Sequence, residues 1–267
     1  MNNCYIFNNL NYKNGLFDDS IDATYILTMK NSKRINNIEK QLNRIKPTSK
    51  IILVINKGFK KCNKNLPINI SNVDIIHSNL EIFKHSLKYK YNNILVLEDD
   101  FIFDDNLYDY IHIHNVNQTL NENKNNFFIL SLGSLPLLTF PYNHCIHKSF
   151  ISLVTQAMIY TKKSRIYILN DNPLSKRDWD YYTNTLNKHV YYLPLITQTF
   201  PPTENQNNWD NFYGLKNIAI QYIKNNELNI KPQPGFNNTY LYLKILNFLL
   251  IIIVILIIFY LLNYLKK

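Results

Sequence analysis

Apolar residues in this chain gather into short runs, and polar stretches of helical spacing separate them. "ATYILTM" (23–29), "SKIILVIN" (49–56) and "NILVLEDD" (93–100) have the density and length of strands. The third is apolar on both faces, which predicts a central strand covered on both sides. "NSKRINNIEKQLNRI" (31–45) reads as a helix between the first two. Around 78–90, "SNLEIFKHSLKYK" joins an Asx/Ser cap to Leu80, Phe83 and Leu87 at helical spacing. "NFFILSLG" (126–133) and "SLVTQAMIYTK" (152–162) predict further strands or strand-turns, with a helix from Lys163, and "HVYYLPLITQ" (189–198) predicts one late strand. Residues 203–240 read as a polar linker with one short helix. This alternation predicts an α/β fold with a doubly wound, mostly parallel sheet flanked by helices.

The pattern changes at the end of the chain. "ILNFLLIIIVILIIFYLL" (245–262) is almost wholly apolar, and at about 1.5 Å per residue it nearly spans a bilayer core of about 30 Å. Tyr240, Tyr242, Tyr260 and Tyr264 stand at its ends like an aromatic belt, with Lys244, Lys266 and Lys267 able to reach headgroups. A buried core helix is the competing reading; uniform apolarity and terminal position count against it. "MNNCYIFNNLNYKNGLFDD" has no basic segment followed by a long apolar run, so no secretory leader is read there. The expectation is a single-pass C-terminal tail anchor with the folded domain in the cytosol. The expected organisation is an N-terminal extension (1–21), one α/β domain (22–202), a linker (203–243) and a transmembrane helix (244–264).

Composition narrows the function. A chain of 267 residues accommodates one large α/β domain or two small ones. It has only five glycines, and neither GxGxxG nor GxxxxGK[ST], which argues against a dinucleotide-binding or P-loop fold. The net charge of +10 is spread over Lys30 to Lys64 and Lys162 to Arg177. No compact basic block with interleaved aromatics and no zinc finger accompanies it, so nucleic acid is not an expected partner. Cys4, Cys62 and Cys145 are odd in number and far apart, which suggests neither a disulfide framework nor a metal quartet and fits a reducing compartment.

The candidate chemistry lies in Glu98, Asp99 and Asp100. A parallel sheet presents ligands at the carboxyl ends of its strands. Residues i and i+2 of a strand share a face, so Glu98 and Asp100 converge while Asp99 points away. Converging carboxylates raise each other's pKa unless a cation lies between them. Mg²⁺ or Mn²⁺, bound through oxygen and shared with a substrate diphosphate, resolves the repulsion. An acidic triplet alone also fits a solvated turn. His112 and His114 form an i, i+2 pair whose chelation would need a third ligand.

With these residues in view, the chain resembles glycosyltransferase family 25, which includes lipopolysaccharide-type and collagen hydroxylysine-type galactosyltransferases. "YILTMKNSKR" stands where that family has I-N-L-x-R-x-x-x-R: Arg34 matches the last arginine, Lys30 replaces the first, and Leu27 stands at the family's Asn. "LEDD" (97–100) is unchanged, and "FILSLG" (128–133) is similar to the strand that follows it. "TQAMIYTKKSRIYIL" (155–169), lacking one glycine, "RDWDYY" (177–182) and "VYYLPLITQ" (190–198) resemble the remaining elements, in order.

The resemblance implies a GT-A fold and transfer of a hexose, galactose or glucose, from a UDP-sugar to an acceptor hydroxyl, with inversion. The acceptor would be a glycan, a lipid or a protein. It implies Mn²⁺ or Mg²⁺ at Glu98 and Asp100, with Lys30, Arg34 and Asp99 around the nucleotide. Asp178 and Asp180 are the candidate bases, flanking Trp179 as a sugar platform. Structural readings stand beside these: Asp178 as a helix cap, Trp179 as a core residue and Arg34 as a surface residue. The altered first strand and missing glycine also leave open an inactive relative in a membrane or virion.

Overall fold

The computed structural model describes residues 4–176, 178–201 and 215–264. Residues 1–3, Arg177, residues 202–214 (of which 203–214 belong to the expected linker) and residues 265–267, with Lys266 and Lys267, lie outside them.

Among the described residues the chain forms β1 (Tyr5–Asn11), β2 (Ala23–Met29), α1 (Ile35–Arg44), β3 (Lys50–Asn56), α2 (Ser71–Lys88), β4 (Asn93–Glu98) and β5 (Phe101–Phe103). Then come α3 (Tyr110–Glu122), β6 (Ile129–Ser131), β7 (Leu135–Pro141), β8 (Ile146–Leu153), β9 (Ala157–Thr161), α4 (Lys162–Asp171), α5 (Trp179–Asn184), β10 (Lys188–Tyr191) and β11 (Ile196–Gln198). The helices α6 (Leu215–Asn225) and α7 (Gly235–Tyr264) follow. Nine strands make one sheet in the order β1-β3-β2-β4-β9-β6-β10-β8-β7, and β5 and β11 pair separately.

The α/β class holds, but the sheet is mixed. Only β2 with β3, β2 with β4 and β6 with β10 run parallel; the other pairings are antiparallel. The expectation of a mostly parallel sheet therefore holds for its β3-β2-β4 heart, with β6–β10 the one further parallel pair among the described residues. Past β4 the chain inserts β9 antiparallel and closes the far side with the β7–β8 hairpin.

Alternation along β4 divides the core. Leu95 and Leu97 face a cluster under α1 and α3 with Ile38, Leu42, Val116 and Leu120. Ile94 and Val96 face the opposite cluster, under α2, α4 and α5, with Phe83, Ile168, Trp179 and Tyr182. Both faces of β4 are thus covered, as its continuous apolar run requires.

The ends depart from expectation. Residues 1–21 were expected to be an extension, yet they supply the edge strand β1, antiparallel to β3, and the fully buried Phe17 and Ile21. Cys4 and Cys62 form a disulfide, with Cα atoms 5.6 Å apart, tying β1 to the loop after β3. Cysteine usage therefore no longer argues for a reducing compartment. The late run 189–198 splits into β10 and β11 around Pro194, and the two halves join different sheets.

Within the expected linker, α6 and the first turns of α7 pack back on the sheet. Phe236, Tyr240, Ile223 and Leu228 cluster with Leu135 and Val154, and the Tyr240 hydroxyl donates to the Tyr192 carbonyl. Beyond this base α7 is long and apolar enough to cross a membrane, with a mean hydropathy of 3.3 and only 6% of that window buried. Such exposure excludes the core-helix reading. Asn247 is the buried exception: its side chain accepts from the Thr139 N–H (2.7 Å) and donates to the Thr139 carbonyl (3.1 Å) on the outer edge of β7.

Candidate functional site at the carboxyl end of the central strand

β4 ends at Glu98, opposite Leu27 of β2. Asp99 and Asp100 form a turn, and the chain then leaves the main sheet as β5. With the strand ended, its two-residue alternation no longer governs the carboxylates, and each takes its own environment.

Asp99 is buried and saturated. It accepts from the Thr28 hydroxyl (2.7 Å), the Ser32 hydroxyl (2.8 Å) and Nη1 of Arg34 (2.7 Å). The same Nη1 lies 3.4 Å from Oδ2 of Asp100, while Oδ1 of Asp100 is buried without a partner among the described residues. Arg34 can reach both because it starts α1. Asn37 and Gln41 lie on the same helix face, three and seven residues on. Asn37 donates to the carbonyls of Asp99 (3.4 Å) and Phe101 (3.1 Å), and Gln41 accepts from the Phe103 N–H (3.0 Å). One polar stripe of α1 therefore holds the acidic turn.

A single guanidinium does not balance this charge. Burial, and then Asp100, Asp180 and Asp99, drive the Glu98 carboxyl well above its usual range, against the pull of Arg34. Burial pushes Asp100 up to about 7, with Arg34 opposing and Asp99 adding to the rise. The site has an unmet demand for positive charge and a bare carboxylate oxygen to offer. That fits a divalent cation with oxygen ligands. Among the described residues no three His, Cys, Asp or Glu side chains are grouped to hold a metal, so Glu98 and Asp100 would share the ion with water and substrate oxygens.

Asp180 faces the same field from α5. It accepts from the Val154 N–H (3.0 Å) and the Thr155 hydroxyl (2.7 Å) in the turn from β8 to β9. Val154 has φ 75°, a backbone region costly for a β-branched residue, and Asp180 helps to hold it there. Asp178 instead caps α5, accepting from the Tyr181 N–H (3.0 Å), and burial raises its pKa.

Other expectations are corrected. Trp179 is a core residue against Phe83, Tyr160 and Tyr182, so it offers no sugar platform. His112 is buried against the Tyr191 hydroxyl (2.9 Å), whereas His114 is exposed on another side of α3, which rules out chelation by the pair. Lys30 is exposed just past β2, at the same end of the sheet as the acidic turn. Arg34 is no mere surface residue.

Motif reading passed over Thr28 and Ser32, the hydroxyls that hold Asp99, although both lie inside the quoted "YILTMKNSKR" run. It also missed Gln156, whose Nε2 donates to the carbonyls of Gly133 (2.7 Å) and Ile196 (2.9 Å). A Cβ on Gly133 would lie 1.8 Å from the Ile196 oxygen, so only glycine lets β11 approach there. Lys188 is fully buried beside Thr183 (3.3 Å), and burial lowers its pKa to about 8 against the field of Asp180.

No family model matches the chain, and no curated protein does. Among solved structures, A197 from STIV is similar at 12% identity, over 68% of this chain and 86% of that one, with a TM-score of 0.39.

Proposed function

We propose that the protein is a membrane-tethered, metal-dependent glycosyltransferase that moves a hexose from a UDP-sugar to an acceptor hydroxyl, with inversion. One observation carries this reading: a buried, under-neutralised acidic turn at the carboxyl end of the central strand, with Oδ1 of Asp100 bare. The order of motifs shared with family 25 points to the same chemistry.

In this reading Glu98 and Asp100 hold Mn²⁺ or Mg²⁺. The bound ion would offset the charge that builds on the β-phosphate as the glycosidic bond breaks. Asp99 keeps the Arg34 guanidinium beside the diphosphate position, and Lys30 reaches phosphate oxygens from the end of β2. Asp180, fixed by Val154 and Thr155, takes the acceptor proton, a role worth about 10²–10⁴-fold in rate. Asp178 orders the helix that presents Asp180. The domain sits on a bilayer through α7.

A second reading has its own support. Arg34 already pairs with Asp99 and Asp100, as expected if an inactive relative kept its sheet and replaced the cation with an internal charge. UDP release from UDP-hexoses with and without Mn²⁺ separates the two. Metal-dependent release that Asp100→Ala abolishes supports transfer; no release from any UDP-hexose favours the inactive form.

A further inference from the structure

Asn247 fixes where the sheet stands relative to the apolar helix. Leu135, at the base of β7, packs in the cluster of Phe236 and Tyr240, and Thr139 is bonded to Asn247. β7 therefore climbs in the same direction as α7. Asn247 already lies inside the apolar run that begins at Ile245. From Thr139 the chain continues through Pro141 into the turn at Tyr142, at about 3.3 Å per residue. The hairpin tip is thus carried roughly 10 Å beyond the level of Asn247.

At the tip itself Tyr142 is exposed beside Asn143 and His144. Further down the hairpin Phe150, Ile151 and Leu153 are exposed, Leu153 paired with Leu135 at the base, and Phe150 meets Phe140 edge-on at 5.5 Å. Lys148 extends along the Phe150 ring, 5.8 Å from its centroid. Lys244, just before the apolar run, adds to burial in lowering the His147 pKa, so both lie within electrostatic reach of each other. A tyrosine at the tip, His147 and Lys148 just behind it, and aromatic and aliphatic groups lower on β8 give the mixed amphipathic surface of an interfacial contact, with Lys244 one turn before Asn247.

We propose that the β7–β8 hairpin is a second membrane contact, a wedge whose tip enters the interfacial layer of an anionic bilayer beside α7. This rests on α7 entering the bilayer, which is part of the reading above. The wedge presses the sheet's β7 edge against lipid and keeps the opposite edge, with β1, in water.

The test uses the full chain in nanodiscs of phosphatidylcholine with phosphatidylserine. An environment-sensitive dye is placed on Tyr142→Cys, on Ile255→Cys within the apolar helix, and on Tyr89→Cys, exposed at the β1 side. Wild-type protein, whose free Cys145 is buried, is the blank. The expected result is blue-shifted emission and quenching by lipids with brominated chains for the Tyr142 and Ile255 labels, but not for the Tyr89 label. Adding Lys148→Glu with Phe150→Ser should reduce the Tyr142 quenching and leave Ile255 unchanged. A quenched Ile255 with a water-like Tyr142 overturns the wedge while sparing the anchor. An unquenched Ile255 overturns both. Protection of Tyr142 that scales with protein concentration and ignores brominated lipid overturns the wedge in favour of a contact between two copies.

Discussion

The Arg34 guanidinium lies 2.7 Å from Oδ1 of Asp99 and 3.4 Å from Oδ2 of Asp100, joining the start of α1 to the turn that closes β4. Removing it strands two buried carboxylates. Arg34→Met should destabilise the protein by about 1–3 kcal/mol, and Arg34→Lys should recover part of that, because a lone ammonium spans both acids poorly. Denaturant melts of the three proteins check the order.

The acidic turn also sets a pH dependence. Asp100 titrates near 7 in the fold, against about 3.9 in an unfolded chain, and Glu98 is raised as well. The folded state holds the extra protons, so their stabilising contribution is complete below pH about 4 and is lost as pH rises through 7. A divalent cation needs the ionised forms, so its effect runs the other way. The thermal shift produced by Mn²⁺ should grow from pH 5.5 to 8 and vanish in Asp100→Asn. A shift independent of pH would contradict this account.

The two aspartates of α5 should separate cleanly. Asp178→Ala loses a helix cap, costing about 1 kcal/mol, and should keep most activity at temperatures where it remains folded. Asp180→Asn keeps the shape near Val154 but removes the basic oxygen. Its UDP-release rate should fall by about 10²-fold or more, with its melting temperature close to wild type.

The parts of the fold that sequence revealed are those whose environment is uniform. β2, β3 and β4 are covered on both faces or nearly so, and their unbroken apolar runs announce it. β1, "YIFNNLN", is an edge strand with one wet face, and its asparagines read as an extension. β7, "LPLLTFP", carries two prolines that argue against a strand, yet it is an outer strand, where proline is tolerated. At the site, the "LEDD" run located the acidic turn. Its partners were less visible, because the Arg34 contact depends on α1 docking over the turn. The i, i+2 rule for Glu98 and Asp100 stopped applying once the strand ended at Glu98. The Cys4–Cys62 pairing crosses 58 residues, a separation at which only the sheet brings the two together.

That pairing gives a further prediction. Cross-links of this span stabilise by up to about 4 kcal/mol through the unfolded chain. Cys62→Ser should therefore melt on the order of 10 °C lower. Reductant should lower wild type towards the same value and leave the variant unmoved.

The small β5–β11 sheet couples distant parts. Asp100 passes directly into β5, β5 pairs with β11, and the Thr199 N–H donates to the Asp100 carbonyl (3.4 Å). From Asp104, just past β5, a carboxylate oxygen accepts from Gln233 (3.2 Å) at the foot of α7. The acidic turn thus hangs from the same strut as the bilayer-seeking helix. On the tail-anchor reading proposed above, a thicker or thinner lipid leaflet that makes α7 lean would pull through Gln233 and β5 on the loop that bears Asp100, so hydrocarbon thickness would bear on the geometry of the acidic turn.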